Sequence, residues 1–245
     1  DSAMQPLPLF TITDFGSSGP YLGQMEERIY RVDQGIRVIN LLADAPSFAP
    51  IEAGCLLAAV AGRMDPGVFL SVVDPGVGGD RQPVVVRSGE QWFVGPDNGL
   101  FATLVSRNPG AEVFSIRYRP AVISSTFHGR DLFAPVAARL ACASFVPLER
   151  IESLEAGSSA EDPGVIIYID HYGNLMTGLR AEWLDRRRQL LFAGMRIDYA
   201  DRFESVAPGV AFWYENSLGL AEISINRGSA EQHFSANVGM EVRIR

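Results

Sequence analysis

The chain is 245 residues long, 47% hydrophobic and 20% charged, with a formal net charge of −8. That is an ordinary globular composition, long enough to bury a core without disulfides or metals. The acidic balance argues against a nucleic-acid partner, and the longest apolar runs, such as Cys55–Ala61, fall far short of the roughly 20 residues a membrane span needs.

In chain order, Pro8–Thr13 reads as a first strand that ends at Asp14-Phe15-Gly16-Ser17-Ser18-Gly19-Pro20, an acid followed by a Gly/Ser-rich loop. Tyr21 to Ile29 can form the next helix, Arg37–Leu42 a strand, and Ile51 to Met64 a helix punctuated by Gly62 and Pro66. Val68–Val73 is an apolar strand that stops at Asp74-Pro75-Gly76-Val77-Gly78-Gly79-Asp80-Arg81. Glycine permits close backbone approach and positive φ, and proline presets its own φ, so Asp74 is expected at a fixed point. Two acids at the tips of two parallel strands would face one crevice, the place where open α/β sheets bind ligands.

Pro83–Arg87 and Gln91–Val94 read as strands joined by a turn. Gly95-Pro96-Asp97-Asn98-Gly99-Leu100 is either another glycine-rich tip or, preferred, a turn capping a helix from Leu100 to Ser106. Ser125-Thr126-Phe127-His128-Gly129-Arg130-Asp131 precedes an Ala-rich helix, Leu132 to Ala143, which places polar groups at a helix start where anions are favoured. His128 is there either a structural residue or a catalyst. Glu155 to Gly164 is a small, polar linker. Beyond it come short strand-like runs, Val165–Ile169, Leu175–Leu179, Gln189–Phe192, Met195–Tyr199, Val210–Tyr214, Leu220–Ile225 and Met240–Arg245, with a brief helical piece near Ala181 to Arg187. The expected fold class is therefore α/β: a Rossmann-like sheet domain over residues 1–158, then a small antiparallel β-barrel over 164–245. Arg186-Arg187-Arg188 reads as a solvated charge run. Cys55 and Cys142, inside apolar helical segments, read as free thiols in a reducing, cytoplasmic setting, and no secretory signal is visible.

Taken together, Thr13-Asp14-Phe15-Gly16 with Gly19-Pro20-Tyr21, Asp74-Pro75-Gly76-Val77-Gly78 with Arg81, Gly95–Leu100, Ser125–Asp131, Tyr172-Gly173-Asn174, Asn216-Ser217 and Asn226-Arg227-Gly228 resemble the S-adenosyl-L-methionine (SAM) hydroxide adenosyltransferases, relatives of the SAM-dependent fluorinase and chlorinase. The resemblance implies hydrolysis of SAM to adenosine and L-methionine, with SAM as substrate and no cofactor or metal. It also implies a homotrimer whose site lies at the subunit interface. Asp74, Arg81 and His128 match the catalytic triad that holds and activates water, the arginine stabilising developing hydroxide while Asp74 and His128 orient the water and take up its proton. Asp14 matches a ribose-binding carboxylate and Asn174 an adenosine contact. Phe203 matches a ring stacked on adenine, Ser217 and Glu222 groups for the methionine carboxylate and amine, and the backbone near Asn226 and Arg227 a reader of the adenine edge. Asp170 is similar to an amine-binding acid of the halogenases, at a spacing to Asn174 one residue shorter. Leu41–Pro46 departs from the relatives' usual motif, and Phe48 or Ala49 replaces a tryptophan of the fluorinase. The readings kept beside this one are halide-dependent adenosyl transfer and a SAM- or adenosine-binding sensor.

Overall fold

The computed structural model describes residues 5–157 and 161–245. The centre of the expected linker, and with it the expected boundary near residue 160, lies outside the described residues. The chain divides into two compact units. One is built from the described residues up to Gly54 and from Met64 to Gly157, the other from Cys55–Arg63 and the described residues from Glu161 onward.

In the first unit, strands β1 (Leu9–Thr13), β2 (Val38–Leu42), β3 (Val68–Val72), β4 (Pro83–Ser88), β5 (Gln91–Pro96), β6 (Glu112–Ile116) and β7 (Leu148–Ile151) form one sheet in the order β2-β1-β3-β5-β4-β6-β7. β1 runs parallel to β2 and β3, and β3 parallel to β5, while β4, β6 and β7 complete the sheet antiparallel. The helices are α1 (Tyr21–Val32), α2 (Pro50–Ala61), α3 (Ala102–Arg107) and α4 (Ala134–Ala141); α2 passes from the first unit into the second at Cys55. α1 buries Met25 and Ile29, four residues apart on one face, and packs on α4. The small side chains Ala134, Ala137 and Ala138 bring α4 close to the sheet, in a core with Leu9, Leu70, Val72 and Val94. Pro135 sits in the first turn of α4.

Elements β6 and β7 are not anticipated in the sequence. β7 is four residues, Leu-Glu-Arg-Ile, with only intermediate burial at its ends, so it carries no clear alternation. The helix expected from Leu132 is preceded by a π-helical turn over Gly129–Phe133 that begins directly after His128. Such turns are rare and concentrate at functional sites.

The second unit contains β8 (Ile166–Ile169), β9 (Leu175–Arg180), β10 (Leu190–Phe192), β11 (Met195–Ile197), β12 (Ala211–Glu215), β13 (Leu220–Ile225), α5 (Ala230–Phe234) and β14 (Val242–Ile244). These strands form two antiparallel sheets, β12-β13-β9-β8 and β11-β10-β14. The antiparallel character is as expected, but the sheets do not close on themselves; isolated bridges, Val165 with Glu241 and Tyr199 with Trp213, link their edges. The expected helical piece near Ala181 reduces to a 3-10 turn, Ala181–Trp183. Trp213, Phe192, Leu175 and Ile223 fill the core, and the Trp213 indole N–H donates to the Arg188 carbonyl at 3.1 Å. Cys55 is buried and Cys142 half-buried. No helix among the described residues is long and apolar enough to cross a membrane.

Candidate active site

β1 and β3 pair in register, Thr13 beside Val72, so the chain leaves both strands at the same edge of the sheet. Asp14 and Asp74 follow at once. Burial pushes the Asp14 carboxyl above its ordinary value; bonds from its own backbone N–H and the Ser47 side chain oppose this, and the negative charge of Asp74 adds to it. The two carboxylates are thus near enough for the charge of one to act on the other. The departing segment after β2 closes over this tip, with Gly16 N–H donating to the Ala43 carbonyl at 2.7 Å and Ala45 N–H to the Thr13 carbonyl at 3.0 Å. Phe48 follows, almost fully exposed at φ +60°.

Asp74 is held from two sides. Asn98 Nδ2 donates to the Val73 carbonyl at 2.8 Å, which pins the backbone one residue upstream. Arg81 Nε lies 2.9 Å from Asp74 Oδ1 and 3.0 Å from Oδ2, and its Nη2 also donates to Oδ2. Both side chains are largely shielded, Arg81 10% and Asp74 4% exposed. The same Nη2 lies 2.9 Å from His128 Nδ1. A guanidinium can only donate, so Nδ1 accepts and the ring hydrogen belongs on Nε2. Burial, and then the Arg81 cation, hold the imidazole below its ordinary value of 6.5, against the opposing pull of Asp74 and Asp131. His128 is therefore a neutral ring whose outward nitrogen is a donor. This differs from the expected proton-accepting role, because the accepting nitrogen is already taken by the arginine. Among the described residues Arg81 Nη1 makes no hydrogen bond.

Two loops meet here because of one glycine. Gly78 has φ +81°, and a Cβ on it would lie 2.4 Å from the Ser125 carbonyl oxygen. The Ser125 loop is closed by Asp131, whose carboxylate accepts from Ser124 N–H at 2.8 Å and from Arg130 Nε at 2.7 Å and Nη2 at 3.0 Å. Arg130 Nη1 reaches Gln24 on α1 at 2.8 Å. These bonds hold the Asp131 carboxyl below its ordinary value despite burial. Beside them, Asp14, Phe15, Tyr21, Gln24, Phe127 and Arg130 line a cleft of about 570 Å³. Phe15, Tyr21 and Phe127 meet edge to face there.

The remaining expected residues lie in the second unit. Asn174 ends the β8–β9 turn: its N–H and Nδ2 donate to Asp170 at 3.0 and 3.1 Å, so its side chain is committed to the turn in the first instance. Glu222 on β13 is 3% exposed and accepts from the Tyr214 hydroxyl and from Asn216 Nδ2 at 3.2 Å. Burial raises its carboxyl above the ordinary range, the two hydrogen bonds oppose the rise, and the charge of Asp170 adds to it. Phe203 is 38% exposed and stands edge-on to Phe212 and Tyr214. Ser217 is exposed in the β12–β13 turn. Asn226 Nδ2 donates to the Val206 carbonyl at 2.7 Å, which holds the loop carrying Phe203, and Arg227 is exposed at φ +56°. Ser47, Asn98 and Tyr214 are partners that sequence reasoning missed. The hairpin turning at 216–219 sets Tyr214 opposite Glu222. Among the described residues no cluster of three or more His, Cys, Asp or Glu is placed to hold a metal ion.

Two family models match the chain in tandem, the SAM hydroxide adenosyltransferase N-terminal domain over residues 9–152 and the SAM hydroxide adenosyltransferase C-terminal domain over residues 164–243. A protein of Thermus thermophilus named (R)-S-adenosyl-L-methionine hydrolase is 32% identical, the match covering 97% of this chain and 99% of the relative. A protein of Salinispora tropica with the same name is 30% identical, with 98% and 99% covered. The crystal structure of an uncharacterized conserved protein from Thermotoga maritima matches with a TM-score of 0.86 at 29% identity, over 96% of this chain and 99% of that one.

Proposed function

We propose that this chain, which belongs to the SAM hydroxide adenosyltransferase family, hydrolyses S-adenosyl-L-methionine to adenosine and L-methionine by in-line attack of water at C5′. The observation that carries the reading is the hydrogen-bonded array of Asp74, Arg81 and His128 at the tip of β3, beside Asp14.

Methionine leaves a sulfonium as a neutral thioether, so the leaving group needs no acid. The nucleophile is the difficulty, since water is weak and hydroxide scarce at neutral pH. Arg81, charged under all ordinary conditions, turns Nη1 toward the developing hydroxide, and His128 donates from Nε2 to the same oxygen. Asp74 holds the guanidinium in place. As the O–C5′ bond forms, one O–H proton leaves and its electron pair stays on the oxygen, which can then attack carbon while accepting from both donors, so the step calls for a general base. Asp74 Oδ1, which accepts only from Nε, keeps a lone pair for that proton. The C5′–S electron pair leaves with methionine. Holding the oxygen about 3 Å from C5′ and in line with sulfur supplies the orientational part of the barrier. No step calls for a metal or redox cofactor.

Substrate contacts follow the resemblance: Asp14 for the ribose diol, Asn174 and Phe203 for adenosine, Asn226 and Arg227 for the adenine edge, Ser217 and Glu222 for the methionine end. We extend the reading to a small barrel in the second unit, a homotrimer with the site at the subunit interface, a cytoplasmic setting, and the (R) sulfonium epimer for which the curated relatives are named.

The test is turnover in ¹⁸O-labelled water with (R)- and (S)-SAM supplied separately. Label in the adenosine 5′-hydroxyl, with methionine released in equal amount, supports attack at C5′. A chain that binds SAM and yields neither product, or one that yields 5′-halo-adenosine only when halide is added, overturns the reading. Replacing Arg81 by Ala removes a charged donor from the transition state and should lower kcat by about 100-fold or more, with SAM affinity nearly unchanged.

A further inference from the structure

The β12–β13 hairpin places Tyr214 directly across from Glu222. Its turn is organised by Asn216, whose Oδ1 accepts Leu218 and Leu220 N–H, each at 3.0 Å, and whose Nδ2 reaches Glu222 Oε1 at 3.2 Å. The Tyr214 hydroxyl donates to Glu222 Oε2. Both partners are donors, which is the environment of an ionised carboxylate. Yet Glu222 is 3% exposed, and among the described residues no lysine or arginine pairs with it. Asp170 is the nearby charge, and it has the same sign. An anion so placed depends on its two donors.

The other end of Tyr214 does something different. Its ring meets Phe203 at 5.5 Å and Phe212 at 5.6 Å between centroids. One side chain therefore touches both the ring assigned to adenine and the carboxylate assigned to the methionine amine.

Building on the proposed hydrolysis of SAM, we infer that Tyr214 is a positioning residue for the substrate: its ring braces the adenine platform and its hydroxyl keeps Glu222 aimed and ionised for the methionine ammonium. The two functions separate by atom, which makes them testable. Removing the hydroxyl alone leaves Glu222 with one protein donor, so its carboxylate is held less firmly in place and its charge is less well supported. Asp170 opposes ionisation throughout, while Asn216 continues to support it.

The experiment compares the full-length wild-type chain with Tyr214→Phe, which retains the ring. Adenosine affinity by calorimetry should stay within about twofold, while KM for SAM rises about tenfold at neutral pH with kcat within about twofold, the scale expected for losing one hydrogen bond to a charged group. In a Glu222→Gln background, the Tyr214→Phe change should add nothing to KM. An unchanged KM, an equal loss of adenosine affinity, or full additivity with Glu222→Gln would each overturn the inference. A wild-type chain that turns over SAM beside an unaffected Tyr214→Phe variant removes this inference alone. A wild-type chain that releases no adenosine removes the proposed function itself.

Discussion

Arg81 is the residue around which the first unit's chemistry is arranged. It spends Nε and Nη2 on Asp74 and shares Nη2 with His128, so one cation sets both the orientation of a carboxylate and the tautomer of an imidazole. This arrangement has a pH signature. His128 must stay neutral to accept from Arg81, and burial with the adjoining guanidinium keeps its pKa below 6.5. Activity should therefore hold through neutrality and fall only as pH drops through that lowered value, with an acid limb in kcat/KM below 6.5. Stability runs the same way. Between the lowered folded value and the unfolded 6.5 the unfolded chain binds more protons, so unfolding becomes easier as pH falls through that window. A pH–rate profile beside denaturant titrations between pH 5 and 7 checks both, and an acid limb above 6.5 would refute the neutral assignment.

Among the elements, the two loops that carry these side chains have little regular structure, and their approach depends on local backbone chemistry. Gly78 combines a left-handed φ with a 2.4 Å approach to the Ser125 carbonyl. Gly78→Ala should therefore lower stability by about 1–3 kcal/mol and separate Arg81 from His128, with at least a tenfold loss of kcat. A Cβ on Gly76, in the same loop, would meet nothing within 4 Å, so Gly76→Ala is the control that should change little in either denaturation or turnover. Asp131 performs the matching task in the other loop, tying Ser124 to Arg130 and, through Arg130, to α1. Strands β1 and β3 were legible as apolar runs ending in acids, and their parallel pairing followed from the alternation of strands and helices between them. β6, β7 and α5 were not, since each is specified by its neighbours in the fold more than by its own pattern.

At the scale of the whole molecule, the residues assigned to SAM are divided between the two units: Asp14, Asp74, Arg81 and His128 in the first, and Asn174, Phe203, Ser217, Glu222, Asn226 and Arg227 in the second. The proposed trimer makes a sharp forecast. Light scattering should return three times the chain mass, and co-expression of Arg81→Ala with Glu222→Ala should restore activity that neither variant has alone. If each site draws on two subunits, random cyclic mixing leaves about a quarter of the sites intact. A monomer, or mixtures no more active than their parents, would remove the interface site while leaving the chemistry of the first unit untouched.

The amino-acid order alone determined the strand-tip acids, the glycine-rich loops and the seven-residue spacing from Asp74 to Arg81, because apolar periodicity and turn chemistry are local properties. Motif order along the chain was enough to name the family. Only the tertiary structure decided that His128 accepts from Arg81 and so carries its hydrogen on Nε2, that Asn98 pins the residue before Asp74, and that Tyr214 lies between Phe203 and Glu222. Those facts depend on which side chains meet across 25 to 47 positions, or across a hairpin whose faces no linear pattern distinguishes. Hydrogen-bond direction is a property of pairs, and pairs exist only once the chain has folded.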